Sequence, residues 1–253
     1  MKVTVLGSGT SQGVPVIACS CSVCASDDIR DKRLRSSILV EHDDTIVVVD
    51  AGPDFRQQML RAGVKKVDGI LITHTHKDHI AGLDDVRSFN YLTKKPMRLY
   101  ARTADQEDIK KEFSYAFAEN PYPGVPQYEF VTINDEAFQI GNLTIQPFVV
   151  MHMYLEVFGF RFGEFAYVTD VNRIPEKAMI ALRGVKVLML DALRRHKHAS
   201  HFNLDEAIDA ARKIGAELTV FTHVSHLMGK YAEVEKELPK GMMLAYDGQI
   251  ISL

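Results

Sequence analysis

The sequence predicts a layered α/β protein in which two sheets pack together with helices outside. Three observations predict it. Each half of the chain begins with a strand-rich block and continues in helix and strand units, a rhythm that suits stacked layers. The strand runs are short and rich in β-branched residues. No linker, low-complexity tract or short-period repeat divides the 253 residues, so a single domain over 1–253 is expected. With 46% hydrophobic and 25% charged residues, the chain has ample material for a core.

KVTVLG (2–7) reads as a buried strand that runs into the glycine-rich loop GSGTSQG. SSILVEH (36–42) and TIVVVD (45–50) form a hairpin across Asp43 and Asp44. PDFRQQMLRAG (53–63) is a helix, with Pro53 in its first turn and Gly63 as its stop. VDGILIT (67–73) is an apolar strand that delivers the chain to THTHKDH. A helical stretch near 82–93, a short strand at 97–101 and a polar helix near 104–118 follow. NPYPGVP (120–126) is a loop. Strands then dominate, near 128–133, 137–140, 143–151, 156–162 and 165–170. A short helix at 175–182 leads to the buried strand VKVLMLDA (185–192). NLDEAIDAARKIG (203–215) is a helix capped by Asn203, with Glu206 three residues later and Gly215 at its end. ELTVFTH (217–223) is a strand, a helix covers about 231–238, and the chain finishes in a strand pair around Asp247-Gly248.

A formal net charge of −3 and a pI near 6.4 give no bulk signature of a polyanion-binding protein. MKVTVLGSGTSQG has too short an apolar run for a signal peptide, and no stretch reaches the length of a membrane span. A cytoplasmic protein with reduced thiols is the expectation. Its three cysteines, Cys19, Cys21 and Cys24, all lie in CSCSVC. An odd count argues against a disulfide framework, and the close packing looks like most of a four-ligand structural zinc site.

THTHKDH (73–79) carries the sharpest chemical signal. His74, His76, Asp78 and His79 follow directly on an apolar strand, whose end holds the backbone while the turn fans the side chains toward one point. Imidazole with carboxylate suits zinc, manganese or iron. A solvated histidine-rich loop is the bland alternative, and four ligand-type side chains at one strand-to-helix junction weigh against it.

These residues match H-x-H-x-D-H, and the chain resembles the metallo-β-lactamase superfamily there. The resemblance implies an αββα sandwich, with two mixed sheets, helices outside and a two-metal site between the sheets. It points to further ligands at separated strand ends: His152 in VVMHMY, Asp170 in YVTDVN and His223 in VFTHVSH. His74, His76 and His152 would then hold one metal, and Asp78, His79 and His223 the other. Asp170 would bridge, and Asp50 in VVVDAG would orient the ligands. A full His-and-Asp set resembles the phosphodiesterase and glyoxalase II branches, whereas true β-lactamases often place a cysteine at the second metal.

The order GxGxxQGVP, CxCxxC, HxHxDH, SH-x-x-L, THxSH and YDG resembles the PhnP type, the phosphoribosyl cyclic phosphate phosphodiesterases, over nearly the whole chain. The glycine loop is GxGxxxG and opens toward more loop, so dinucleotide binding is a weak reading. The resemblance implies hydrolysis of a small cyclic phosphodiester, 5-phosphoribosyl 1,2-cyclic phosphate-like, by a hydroxide held between two metals. A metal lowers the pKa of bound water from 15.7 toward about 7. The leaving alkoxide still needs a proton donor. His201, just before the capped helix, is the candidate, with Asp78 the other residue assigned to catalysis. The resemblance also supplies the fourth ligand of the CSCSVC clip, His226, and so a structural zinc beside two catalytic metals, zinc, manganese or iron. Arg194, Arg195, His196, Lys197 and His198 otherwise read as a wet basic loop.

The expected partner is a small phosphodiester, with neither membrane nor nucleic acid; homodimers are common in this branch. A transfer-RNA 3′-processing nuclease shares the dinuclear ligands but typically adds a long RNA-gripping arm between the positions of His152 and Asp170. Only 17 residues separate them here. Glyoxalase II-like thioester hydrolysis would leave His201 and the clip unexplained. The pyrroloquinoline-quinone biosynthesis B protein shares the clip but looks less complete at the hydrolytic metals. A non-catalytic, metal-stabilised binding module would leave a full dinuclear set idle. The stretches 86–96 and 119–127 match no motif.

Overall fold

Val47, Val48 and Val49 are each fully buried, which a strand achieves only when both faces of its sheet are covered. Val47 and Val49 face a core shared between two sheets, and Val48 faces a second core beneath helices. This alternation is the fold in miniature. The computed structural model describes residues 1–253.

The first sheet contains β1 (Lys2–Gly7), β2 (Ser37–His42), β3 (Thr45–Val49), β4 (Gly69–Leu71), β5 (Met97–Ala101) and β6 (Tyr128–Thr132). The second contains β7 (Phe138–Ile140), β8 (Leu143–His152), β9 (Leu155–Phe162), β10 (Phe165–Val168), β11 (Val187–Asp191), β12 (Leu218–Thr222) and β13 (Met242–Leu244). The last strand, β14 (Ile250–Ser252), returns to the first sheet beside β1. Both sheets are mixed. β14, β1, β2 and β3 pair antiparallel, then β3 to β6 run parallel. β7 to β10 pair antiparallel, then β10 to β13 run parallel.

Between the sheets, Val3, Val5, Ile38 and Val40 meet Phe158, Phe160, Phe162, Phe165 and Tyr167. Each of these valine, isoleucine and phenylalanine side chains stabilises by about 1.5–3 kcal/mol relative to exposure. Helices α1 (Phe55–Ala62), α2 (Lys77–Ile80), α3 (Arg87–Thr93) and α4 (Thr103–Glu112) cover the first sheet through Phe55, Ile80, Phe89 and Ile109. Helices α5 (Glu176–Ala181), α6 (Leu204–Ile214) and α7 (Tyr231–Val234) cover the second through Ala178, Ala207, Ala211 and Val234. The expected αββα sandwich is therefore the observed one. No helix is long and apolar enough to cross a membrane.

Several local expectations differ. β13 and β14 do not pair with each other; the Asp247-Gly248 turn carries the chain from one sheet to the other. The Asp247 carboxylate is occupied there, accepting from the Ser8 and Leu34 N–H groups at 2.9 Å each. α4 stops at Glu112 because Phe113 and Phe117 turn onto Tyr128 and Phe130 of β6. α7 is only four residues long, and Glu235 just beyond it accepts from the Leu244 N–H of β13. Pro53 precedes the N-cap residue Asp54 of α1 instead of entering the first turn. α6 matches its sequence signature: Asn203 and Glu206 form a full capping box, and Gly215 ends the helix at φ +76°.

The candidate metal centre

Strand ends place the site. β3, β4, β8, β10, β11 and β12 all finish at the same edge of the sandwich, and the predicted ligands follow at or just beyond those ends. Three of the residues gathered there leave the strand in left-handed backbone: Asp50 at φ +63°, Asp170 at +51° and His223 at +58°. That region is uncommon for residues other than glycine, and such residues concentrate at functional sites. The turn re-aims each side chain toward the gap between the sheets. The loops also press together: a Cβ on Gly52 would meet the Asp78 carbonyl oxygen at 2.0 Å, so only glycine fits.

The structure brings all seven predicted ligands together. Asp78, His79, Asp170 and His223 offer donor atoms within 4.8 Å of one another, as do His74, His76 and Asp170. His152 lies beside the second group, its ring 5.3 Å from that of His76 and 5.9 Å from that of His74. Asp170 is central. Its oxygens lie 3.2 Å from His79 Nε2, 3.2 Å from His223 Nδ1, 4.0 Å from His74 Nε2 and 3.9 Å from His201 Nε2. His201 joins this gathering more closely than its predicted role alone requires, since His152, Asp170 and His201 also form a group of ligand dimensions.

Partners behind the ring fix which nitrogen faces the centre. His79 Nδ1 meets Asp50 at 2.7 Å, and Asp50 also accepts from the Thr73 N–H and hydroxyl. His152 Nδ1 donates to the Ser200 carbonyl at 2.7 Å, and His201 Nδ1 meets Asp191 at 2.8 Å. His79, His152 and His201 thus present Nε2 inward, as metal-site histidines do, whereas His223 turns Nδ1 toward Asp170. His79 Nε2 is buried without a hydrogen-bond partner although two carboxylates lie 3.2 Å away. A divalent cation fits that unpaired nitrogen and those oxygens.

Electrostatics support the same reading. Burial pushes the Asp170 carboxyl upward, but His223 and His79 outweigh it and hold the group well below the usual carboxylate range. Burial lowers His74, His152, His201 and His223, favouring neutral imidazole. Neutral imidazole and ionised carboxylate are the states that bind metal. His79 is the exception: burial lowers it, yet Asp170, Asp78 and Asp50 together hold it well above normal. A cation at Nε2 would take the place of that proton.

The clip assembles as well. His226 Nδ1 lies 3.3, 3.4 and 3.5 Å from the sulfurs of Cys19, Cys21 and Cys24. A tetrahedron with bonds of about 2.3 Å to sulfur and about 2.0–2.1 Å to nitrogen has S···N edges of about 3.5 Å. Three thiols and one imidazole at this spacing fit zinc. The Cys24 N–H and His226 hold the Cys21 thiol down to about 6, toward the thiolate a metal needs.

Sequence reasoning missed Asp191, Thr10 and Asn172. Asp191 ends the wholly buried run VLMLD, and an acid closing an apolar strand was the available signal. Thr10, in the glycine-rich loop, meets His223 Nε2 at 3.2 Å, which gives that loop a place in the site without any dinucleotide. A cavity of about 730 Å³ between β8 and α5 is lined by none of the clustered side chains.

Residues 45–224 match the β-lactamase superfamily domain. The chain belongs to that superfamily. A solved structure described as a new diphosphatase from the PhnP family aligns over 100% of this chain and 97% of its own, at 43% identity and a TM-score of 0.92. Within the superfamily, the chain is a member of the PhnP family. An octanoyltransferase of Porphyromonas gingivalis is 38% identical over 251 residues, 98% of this chain and 51% of that protein, so the chain spans about half of that relative. The zinc-bound PqqB of Methylobacterium extorquens, at 22% identity and a TM-score of 0.79 over 100% of both chains, shares the fold.

Proposed function

We propose that this protein is a phosphodiesterase that hydrolyses a small cyclic phosphodiester of the 5-phosphoribosyl 1,2-cyclic phosphate kind. The observation that carries this reading is the Asp191–His201 pair beside Asp170, with 2.8 Å between His201 Nδ1 and Asp191 and 3.9 Å between His201 Nε2 and Asp170. A thioester needs little help for its leaving thiolate; an alkoxide leaving phosphorus needs a proton.

In this reading His74, His76 and His152 would hold one metal and Asp78, His79 and His223 a second, with Asp170 available to both. Two divalent metals there, zinc or manganese and less readily iron, would supply an acidified water and neutralise charge on the phosphoryl oxygens. Asp50 orients His79, and the Ser200 carbonyl orients His152. Nδ1 of His201 is committed to the buried Asp191, so the proton it would give to the leaving group is the one its imidazolium form holds at Nε2. Burial lowers His201, and the anionic substrate would favour its protonated form. The clip zinc, held by Cys19, Cys21, Cys24 and His226, takes no part in the chemistry.

The substrate is small in this reading because β8 returns directly into β9 through Met153 and Tyr154, leaving no arm to grip RNA. Acyl transfer, named for the half-matched relative, is disfavoured as a thiol reaction because all three thiols converge on His226. A cytoplasmic location suits those reduced thiols. The test is a panel with defined metals: ribose 1,2-cyclic phosphate with and without a 5-phosphate, cyclic nucleotides, bis(p-nitrophenyl) phosphate, a thioester and precursor transfer RNA. The cyclic sugar phosphates should lead. Preference for the thioester or the RNA rejects the reading.

A further inference from the structure

Asn172 lies two residues after Asp170, and its side chain touches both segments that flank the site. Its Oδ1 accepts from the Met153 N–H at 2.9 Å, immediately after His152. Its Nδ2 donates to the Ala199 carbonyl at 2.7 Å, two residues before His201. Reversing the amide would set donor against donor and oxygen against oxygen, so the two contacts fix one orientation. The backbone repeats the tie: Asn172 N–H donates to the Met151 carbonyl at 2.9 Å, and Phe202 N–H to the Val171 carbonyl at 2.8 Å. Residues 170–172 are thus a strip clamped between the His152 turn and the His201 loop.

Both flanking segments depend on such a clamp. Met153 stands in left-handed backbone at φ +55°, and residues 196–199 are exposed. Tying the Ala199 carbonyl holds the next one, Ser200, where it receives His152 Nδ1. The two rings then sit 4.5 Å apart.

We propose that Asn172 is a positioning residue whose amide sets the spacing between His152 and His201 and so the aim of His201 Nε2 at the leaving group. The inference rests on the hydrolase reading above and deepens it. Asparagine suits the task because one short side chain offers both an acceptor and a donor. Aspartate keeps the acceptor for Met153 and loses the donor to Ala199.

The test is Asn172→Asp in the fully metal-loaded enzyme, read by kcat, KM and metal content on an alkyl and a p-nitrophenyl phosphodiester. Asn172→Ala, which adds no charge, carries the same comparison if aspartate lowers the Tm. The expected result is unchanged metal content and KM, with kcat on the alkyl ester lowered about ten-fold or more. The p-nitrophenyl ester, needing little protonation, should stay within about three-fold. In a His201→Ala background the same substitution should add nothing, since residues acting through one another are non-additive. Equal loss on both esters, full additivity with His201→Ala, or wild-type kcat on the alkyl ester overturns the inference. Wild-type enzyme that cleaves no phosphodiester defeats the proposed function instead. The cycle then runs on whichever ester is hydrolysed, and additivity there still overturns the role of Asn172.

Discussion

Single residues at this site have separable jobs. Asp170 reaches four imidazoles, so Asp170→Ala should remove both metals of the pair and abolish turnover while one clip metal per chain remains, checked by elemental analysis. Survival of turnover would mean that the pair is not catalytic. His201→Ala should keep the metals, slow an alkyl phosphodiester by about 10²–10⁴-fold, and slow a p-nitrophenyl ester far less. Equal losses would remove His201 from leaving-group protonation. The ligand types were legible in the sequence because a metal demands particular atoms. Asn172 was not, because it acts through hydrogen bonds to residues 19 and 27 positions away; Asp191 showed only as an acid closing an apolar strand, and no local pattern records its pairing with His201 ten positions on.

Among the elements, α6 and the clip matter most. The α6 capping box begins two residues after His201, and Asn203→Ala should cost about 1 kcal/mol. In a chain of this size that lowers the Tm by about 2–4 °C. Thermal unfolding with unchanged metal content is the check. The clip joins residues 207 apart in sequence, Cys19 and His226. A cross-link closing so long a loop stabilises by up to about 5 kcal/mol in the chain-entropy model. Cys21→Ser should release one metal and lower stability first, with activity falling as the fold loosens. Full activity loss at unchanged Tm would instead give the clip a chemical role. α6 was readable because its cap, amphipathic face and stop are contiguous. α4 and the final strands were not, because tertiary partners on β6, β12 and β1 decided where they end and with what they pair.

At the scale of the whole molecule, two sheets converge their strand ends on one edge, and the clip ties the N-terminal loop to the strand end carrying His223. Fully loaded protein should therefore hold three metals per chain. Mild chelation should strip the catalytic pair before the thiolate-bound zinc, and acidification should release metal as carboxylates, imidazoles and thiolates take up protons. Two or fewer metals in loaded protein would break this scheme. By itself the sequence determined the layered fold and the ligand-type residues of THTHKDH and CSCSVC, since burial on both faces of a sheet and metal-binding atoms each require specific residue types; His152, Asp170, His223 and His226 entered only through the family resemblance. Only the tertiary structure decided how the set is held: the left-handed turns at Asp50, Asp170 and His223, the Asp191–His201 pair, and the Asn172 clamp. Those depend on which strand ends lie side by side, a consequence of sheet order and register that spacing along the chain does not contain.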